Sequence, residues 1–517
     1  MLELPAAKHR RVPPLAGFFP VGASVHGSRD PCHSVTAREA LNSVQRVLLQ
    51  ARIGLTTILL AFCWTRRGKG VALTSEERRP GAAALDVHQA LDALELAVAL
   101  LFAHGQTTER TIQDIKRFAN ALDLTVTVAV SWDGIALGLG TPVGRGSTNR
   151  IDAASTVVAV RPTLVDMGKV AAVVSVIDQI CEGRLVLEDA MTALEQIQRS
   201  SSVSTLRFSL MAGLGAMALG VIFGALHLLS LVLIGLSGFL GAQLRRAIAR
   251  LTDNTLAQPF AAALLAGAIG AISVQFEFTT LQRLVAVCPC MVLVPGPHLL
   301  NGAIDLLRAR VLLGLARLTY ASLIVVAISA GLLIGLALGG TSLPPAAPPH
   351  AAPLAGDVIA AGVAVAAYGA FFSLPWRLLP VPVFTGMLAH SIHWAAIVVA
   401  GASPAMGALL ACLLVGTIVA PVADRLRLPF AGLAFASVVS LIPGVFVFRM
   451  AGGLVELLQP GGAAKVELVA AVVVDAGSAL LIMMAMTVGL IVPKMVYEWI
   501  VARRGIGLLG IHKKGDA

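Results

Sequence analysis

The chain has 517 residues, of which 57% are hydrophobic and 13% are charged, and its mean hydropathy is +0.83. Soluble globular proteins do not have this composition, so that class is excluded. The formal net charge of +10 does not indicate nucleic-acid binding, since basic residues on the cytoplasmic side of a membrane give the same excess. We therefore predict a polytopic α-helical membrane protein whose environment is the lipid bilayer, with no nucleic-acid partner.

The first segment, residues 1–84, is rich in Arg, Pro and His. Its one apolar run, Ile53–Trp64, is too short to cross a bilayer comfortably. No small-residue cleavage site follows a basic start as in a signal peptide. We interpret residues 1–84 as a disordered or mis-annotated N-terminal extension.

Residues 85–204 are orderly but not membrane-like. Two amphipathic helical patterns, "LDVHQALDALELAVALLFAHG" and "TTERTIQDIKRFANALD", precede three β-type runs at 124–130, 134–140 and 155–160, and helical patterns resume from Pro162 to Arg199. This order predicts a cytoplasmic α+β domain over residues 85–204. An alternative places the first helix, residues 90–103, on the membrane surface.

Ten apolar segments of spanning length follow. They predict a five-helix membrane half over 205–340, a Pro-rich linker over 341–357, a second five-helix half over 358–493 and a basic cytoplasmic tail over 494–517. The predicted spans are 206–226, 228–244, 258–276, 284–301, 312–338, 357–374, 380–400, 404–423, 430–449 and 469–492.

Orientation is predicted from the basic residues that flank the spans. Thirteen of them fall on the side of the N-terminal domain, and only Arg283, Arg449 and Lys465 fall on the other side. The positive-inside rule then places both termini in the cytoplasm of a multi-pass protein in the cytoplasmic (inner) cell membrane.

Short sequence matches indicate an internal repeat. "VLVPGPHLL" at 292–300 matches "SLIPGVFVF" at 440–448 at an offset of 148, and two further matches occur at offsets of 145 and 149. A unit of five spans is odd, so two consecutive copies cross the membrane in opposite senses. Such inverted repeats are typical of secondary transporters, whose sites lie on discontinuous helices at the repeat interface.

The stretch "PGPHLLNGAIDLLRARVLLGLARL" resembles the motif of the threonine/serine exporter family. The matching positions are Pro295, Gly296, Asn301, Gly302, Asp305, Leu306, Gly314 and Arg317. Upstream, "GQTTER" resembles the family's second signature at Gly105, Thr108 and Arg110. The resemblance covers residues 85 to 493 and implies a soluble N-terminal region followed by five spans, a linker and five spans. The second copy departs from the motif, with Arg449 in place of asparagine and Gly453 in place of aspartate.

Pro-Gly pairs in the two copies predict the substrate site. Proline frees a carbonyl group and glycine permits an unwound backbone, while the helix that follows offers aligned N–H groups to a carboxylate. An alternative is that each pair is only a packing kink, and that Asp305 caps its helix or pairs with Arg308. The predicted substrate-binding residues are Pro295, Gly296, His298, Asn301, Asp305, Pro443 and Gly444.

Ionisable residues inside spans predict the proton-coupling groups, because burying them is costly. Asp475 is the first choice, with a hydrogen bond to a neighbouring helix as the alternative. Glu277 could instead reach the membrane interface. His390 and His393 lie on one helical face and could relay protons, bind a metal or join helices; no nearby Cys, Asp or Glu completes a metal set.

The predicted function is secondary-active export of threonine and serine driven by the proton gradient. No nucleophile–base set or Walker motif indicates an enzyme, and no cofactor is expected. The Glu109–Arg110 pair beside Gly105 and Thr108 is interpreted as a gating or regulatory contact with the membrane part, with a solvated first helical turn as the alternative. Export of a small dicarboxylate such as succinate, or a channel or receptor for a small solute, remain alternatives, and a homo-oligomer is possible.

Overall fold

The computed structural model describes residues 87–140, 155–200, 203–225, 227–276, 282–341, 353–426, 428–458 and 466–512. The predicted extension over 1–84, most of the Pro-rich linker and the predicted proton-coupling residue Glu277 lie outside these ranges.

An α+β module precedes the apolar helices. Its three strands form one antiparallel sheet in the order β1–β2–β3, with Val128 opposite Leu137 and Leu137 opposite Thr156. The strands fall where the alternating patterns predicted them. The elements are α1 (Val87–Ala103), α2 (Thr108–Ala121), β1 (Thr125–Val130), β2 (Gly134–Gly140), β3 (Ser155–Ala159), α3 (Met167–Cys181) and α4 (Leu187–Arg199).

Helix α1 is the centre of this module. Its apolar side chains, Leu94 and Leu101 among them, pack in one buried cluster with Phe118 of α2 and Ile177 of α3. The alternative of α1 lying on the bilayer surface does not agree with this burial. After the helix ends, Gly105 adopts φ +93°, a conformation that glycine accepts without strain, and the chain reverses into α2.

Apolar helices make up most of the rest of the described chain, and they fall into two groups, before and after residues 342–352. The first group is α5 (Thr205–Ile222), α6 (Leu228–Leu251), α7 (Ala257–Gln275), α8 (Gln282–Met291), α9 (Gly296–Leu307) and α10 (Val311–Leu338). The second group is α11 (Leu354–Phe371), α12 (Pro380–Trp394), α13 (Pro404–Leu426), α14 (Phe430–Val438), α15 (Gly444–Leu457) and α16 (Val466–His512).

Within the described ranges, eight helices are long and apolar enough to cross a membrane, and the number rises to ten if each of two bent pairs forms one span. The bends measure 51° between α8 and α9, and 62° between the segment Phe430–Leu441, which contains α14, and α15. A multi-pass helical membrane protein is therefore confirmed.

Two predicted boundaries were wrong. Helix α11 begins at Leu354, inside the predicted linker, because a helix can start directly after Pro353 without losing a hydrogen bond. Helix α16 continues to His512, past the predicted end of the last span at 492 and into the predicted tail. Pro493 does not end it, and Lys494 and Glu498 are paired one turn apart at 2.8 Å.

Glycines bring α7 and α10 into backbone contact. A Cβ atom at Gly335 would lie 2.2 Å from the Leu264 carbonyl oxygen, and one at Gly331 would lie 2.3 Å from that of Phe260. Small residues permit this approach between membrane helices. The pair packs beside the broken helix α8–α9.

Candidate functional site

The two bends have similar backbone geometry at their Pro-Gly pairs. The first break is defined as residues 292–295, between α8 and α9, and the second break as residues 442–443, before α15. Pro295 and Pro443 have similar backbone angles (φ −83°, ψ 58° and φ −77°, ψ 38°). At each break the glycine N–H donates to the carbonyl two residues earlier, at 2.9 Å for Gly296 and 2.8 Å for Gly444. Proline, which has no N–H and clashes with a preceding helical turn, causes both interruptions.

Each break is covered by a side chain from the other half of the protein. A Cβ atom on Gly296 would lie 1.5 Å from the ring of Phe435 in α14, and one on Gly444 would lie 2.8 Å from the Met291 side chain in α8. Tyr368 of α11 donates a hydrogen bond of 3.1 Å to the Met291 carbonyl. One carbonyl group beside the first break, that of Met291, thus accepts a hydrogen bond from the second half.

His298 lies in the first turn after the first break and is buried. Its ring meets the edge of Tyr320 in α10, with the ring centres 5.4 Å apart. Tyr320 also contacts Trp132, in the β1–β2 turn of the module, at 5.3 Å. Two side chains, Tyr320 and His298, therefore connect Trp132 of the module to the first break.

The two sequence motifs meet in space. The motif turn, defined as residues 105–110, packs against α9. Asn301 donates to the Gly105 carbonyl at 3.2 Å, and the Thr108 hydroxyl donates to the Asp305 carboxylate at 3.0 Å. Nearly two hundred residues separate these partners in the chain, so their assembly could not be predicted from spacing alone.

Asp305 is the centre of a buried charge cluster. Its carboxylate lies 3.4 Å from Nε of Arg317 and 3.5 Å from a guanidinium nitrogen of Arg310. Asp305 and Arg317 are each only 1% exposed, and the Arg317 guanidinium lies 5.2 Å from the ring centre of Phe102 at the end of α1. The alternative pairing of Asp305 with Arg308 was wrong.

Glu109 and Arg110 connect the module to both membrane halves. Arg110 pairs with Asp424 of α13 at 3.1 Å, and Glu109 pairs with Arg308 and Arg310 at 2.8 Å each. Partial burial acts to raise the pKa of Glu109, but the two arginines outweigh it and hold that pKa below its usual range. The alternative of a solvated first helical turn was wrong for these two residues.

A buried hydrogen-bonded chain lies behind the second break. Nδ1 of His390 lies 3.0 Å from the Asp357 carboxylate, and the Ser440 hydroxyl lies 2.6 Å from Nε2. Because a carboxylate only accepts, Nδ1–H donates to Asp357, and in the neutral imidazole Nε2 then accepts from the Ser440 hydroxyl. The ring of His393 is 6.0 Å from that of His390. Among the described residues, no three His, Cys, Asp or Glu side chains are grouped to hold a metal ion.

Asp357 was missed because the sequence analysis placed it in the linker. A single acidic residue at the start of a long apolar run was the available signal. Ser440 gave a weaker signal, since serines are common where membrane helices pack.

Asp475 is paired rather than free. Its carboxylate lies 3.1 Å from Nε of Arg449, and both side chains are largely buried. Arg449 is the residue that departs from the asparagine of the repeated motif. The ion pair joins α15 to α16 beyond the second break.

A multi-pass helical protein with two matching broken helices and buried ionisable groups beside them has the construction of a membrane transporter. A family model described as "Putative threonine/serine exporter" matches residues 93–339, and a second, "Threonine/Serine exporter, ThrE", matches residues 357–496. The chain therefore belongs to the threonine/serine exporter family, a transporter family rather than an enzyme family. No curated protein and no solved structure matches it.

Proposed function

We propose that this protein exports threonine and serine across the cell membrane, driven by the proton gradient, and that the two breaks form its central substrate site. The observation that carries the proposal is the reciprocal covering of the breaks, Gly296 by Phe435 and Gly444 by Met291. Such reciprocal contacts are expected of two inverted five-span repeats that meet at a shared site.

The chemistry around the breaks suits a small zwitterion. The N–H groups that begin α9 and α15 can bind a carboxylate, and carbonyls freed before them can accept from an ammonium group. His298, in the first turn after the first break, is the polar side chain proposed to contact the solute. Asn301 and Asp305 are bonded to the motif turn, so they position the module at the site in this conformation.

Two buried groups are candidates for carrying the proton. His390 can accept a proton at Nε2, and the Asp357 carboxylate would stabilise the resulting imidazolium. Asp475 can exchange between its ion pair with Arg449 and a protonated form. The relay from Ser440 to Asp357 lies next to the second break, and this position favours His390 as the proton carrier, with His393 beside it. Asp475 and Glu277 remain predictions from the sequence.

The test is counterflow of labelled threonine in proteoliposomes, with and without an imposed pH gradient. We expect the gradient to drive accumulation by the wild type. If His390 carries the proton, His390→Gln abolishes accumulation and preserves counterflow; if Asp475 carries it, Asp475→Asn does so instead. Accumulation that survives in both variants would contradict both assignments.

Replacing threonine by succinate in the same assay tests the dicarboxylate alternative. Faster exchange of succinate than of threonine would favour it. Threonine flux that proceeds without countermovement of protons would indicate a channel, and binding without flux would indicate a receptor.

A further inference from the structure

A cavity lies away from the breaks, where the module meets the membrane helices. Its volume is about 370 Å³, within the range of about 300–1,000 Å³ usual for small-molecule sites. The motif turn and α2 form one wall, the end of α13 and the start of α14 form the second, and the last helix α16 forms the third.

Charges of both signs surround this cavity. On one side, Asp424 accepts from Arg110 at 3.1 Å and from the Tyr497 hydroxyl at 3.3 Å. On the other side, Glu498 accepts from Arg308 at 2.5 Å and from Lys494 at 2.8 Å. Carboxylates and cations therefore stand on both sides of one small space.

These ion pairs can open to admit a solute. Asp424 is 45% exposed and Glu498 is 39% exposed, and partly exposed pairs contribute little net stability. An incoming ammonium group can take the place of one protein cation, and an incoming carboxylate can take the place of one protein carboxylate. Every charge then keeps a partner. A solute with a single charge would leave one protein group without its partner.

Apart from Asp424, the wall formed by α13 and α14 is apolar. Ala420, Ala423, Leu428 and Phe430 line it, so the wall offers apolar contact to a short side chain. A free amino acid with a small side chain matches both parts of the cavity.

We infer that this cavity is a loading site for a free zwitterionic amino acid, in which Asp424 binds the ammonium group and Arg110 and Arg308 bind the carboxylate. The inference rests on the proposed function and extends it, because it adds a site on the module side of the central one. It also gives the module a role in binding, because the motif turn supplies Arg110 and one wall of the site.

The test uses a reporter at the cavity itself. Gln113 lines the cavity and is exposed, so Gln113→Cys, made in the full chain with the native cysteines replaced, can be labelled with a maleimide. Threonine should slow this labelling. Threonine amide, which has no carboxylate, and N-acetylthreonine, which has no ammonium group, should each need about tenfold higher concentration.

Asp424→Asn should raise the half-protecting threonine concentration about tenfold or more, and Arg110→Gln should act in the same direction. The matched control is Asp133→Asn, which removes an equivalent carboxylate from an exposed ion pair with Arg161 and should change nothing. Size-exclusion profiles and the labelling rate without threonine report whether each variant is folded.

Counterflow on the same reporter protein separates the two proposals. Threonine counterflow without protection of the reporter cysteine, or protection that is unchanged in Asp424→Asn, overturns the loading site and leaves the exporter proposal standing. Protection without counterflow supports the site and contradicts export.

Discussion

Asp305 contacts both the module and the membrane helices and so contributes to the stability of their interface. It accepts from Thr108 and lies beside Arg317, and both members of this ion pair are buried. A buried pair adds little relative to an apolar one, but removal of one partner leaves an uncompensated charge. The sequence identified both residues by their motif, whereas Thr108 as the connecting partner required the fold.

Asp305→Asn should therefore lower the free energy of unfolding by roughly 3–5 kcal/mol. Thr108→Val, which removes only one neutral donor, should cost about 1 kcal/mol. Denaturant titration in detergent measures both. Glu195→Gln, in an exposed pair with Arg199, is the control. Equal losses for the first two variants would show that the charge cluster is not buried as described.

The stability of the contact between the module and the membrane helices depends on pH through Glu109. Since its pKa is lowered in the folded protein, its contribution is fully present above the pKa of the unfolded chain and is lost as pH falls through the lowered value. Hydrogen-exchange protection factors of α2 should be larger in the wild type than in Glu109→Gln at neutral pH. The difference should shrink in acid; a constant difference would exclude the ion pairs with Arg308 and Arg310 as its cause.

At the level of elements, the broken helices and the strands were the most predictable parts. Pro-Gly pairs at 295–296 and 443–444 mark the breaks, because proline and glycine act on their own backbone. The length of α16 was less predictable, since the chain after Pro493 is polar enough to suggest a tail and its contacts with Arg308 come from 190 residues away. The Asp357–His390–Ser440 chain also depends on packing between helices that sequence spacing does not give.

Gly296→Ala should destabilise the protein by about 1–3 kcal/mol through overpacking, because its Cβ would overlap the rigid ring of Phe435. Gly444→Ala should cost less, since flexible Met291 can move. Gly477→Ala in α16, where a Cβ meets nothing within 4 Å, is the control. Thermal unfolding in detergent should rank the variants in that order, and Phe435→Leu should partly rescue Gly296→Ala.

At the scale of the whole molecule, the module lies at one end of the helix bundle and contacts both membrane halves. If the positive-inside count is right, that end faces the cytoplasm. Cys181, exposed on α3, should then react with a membrane-impermeant maleimide in inside-out vesicles and not in intact cells. A cysteine placed at Gly401, after α12, should show the opposite behaviour. Labelling of both from the same side would contradict the predicted topology.

The mutual covering of the breaks has a consequence for how this sequence can change over evolutionary time. Position 296 can accept a side chain only if position 435 gives up volume, and positions 444 and 291 are linked in the same way. Each half of the protein therefore limits the substitutions open to the other at these positions. Among relatives, including any whose halves are encoded separately, these residue pairs should covary.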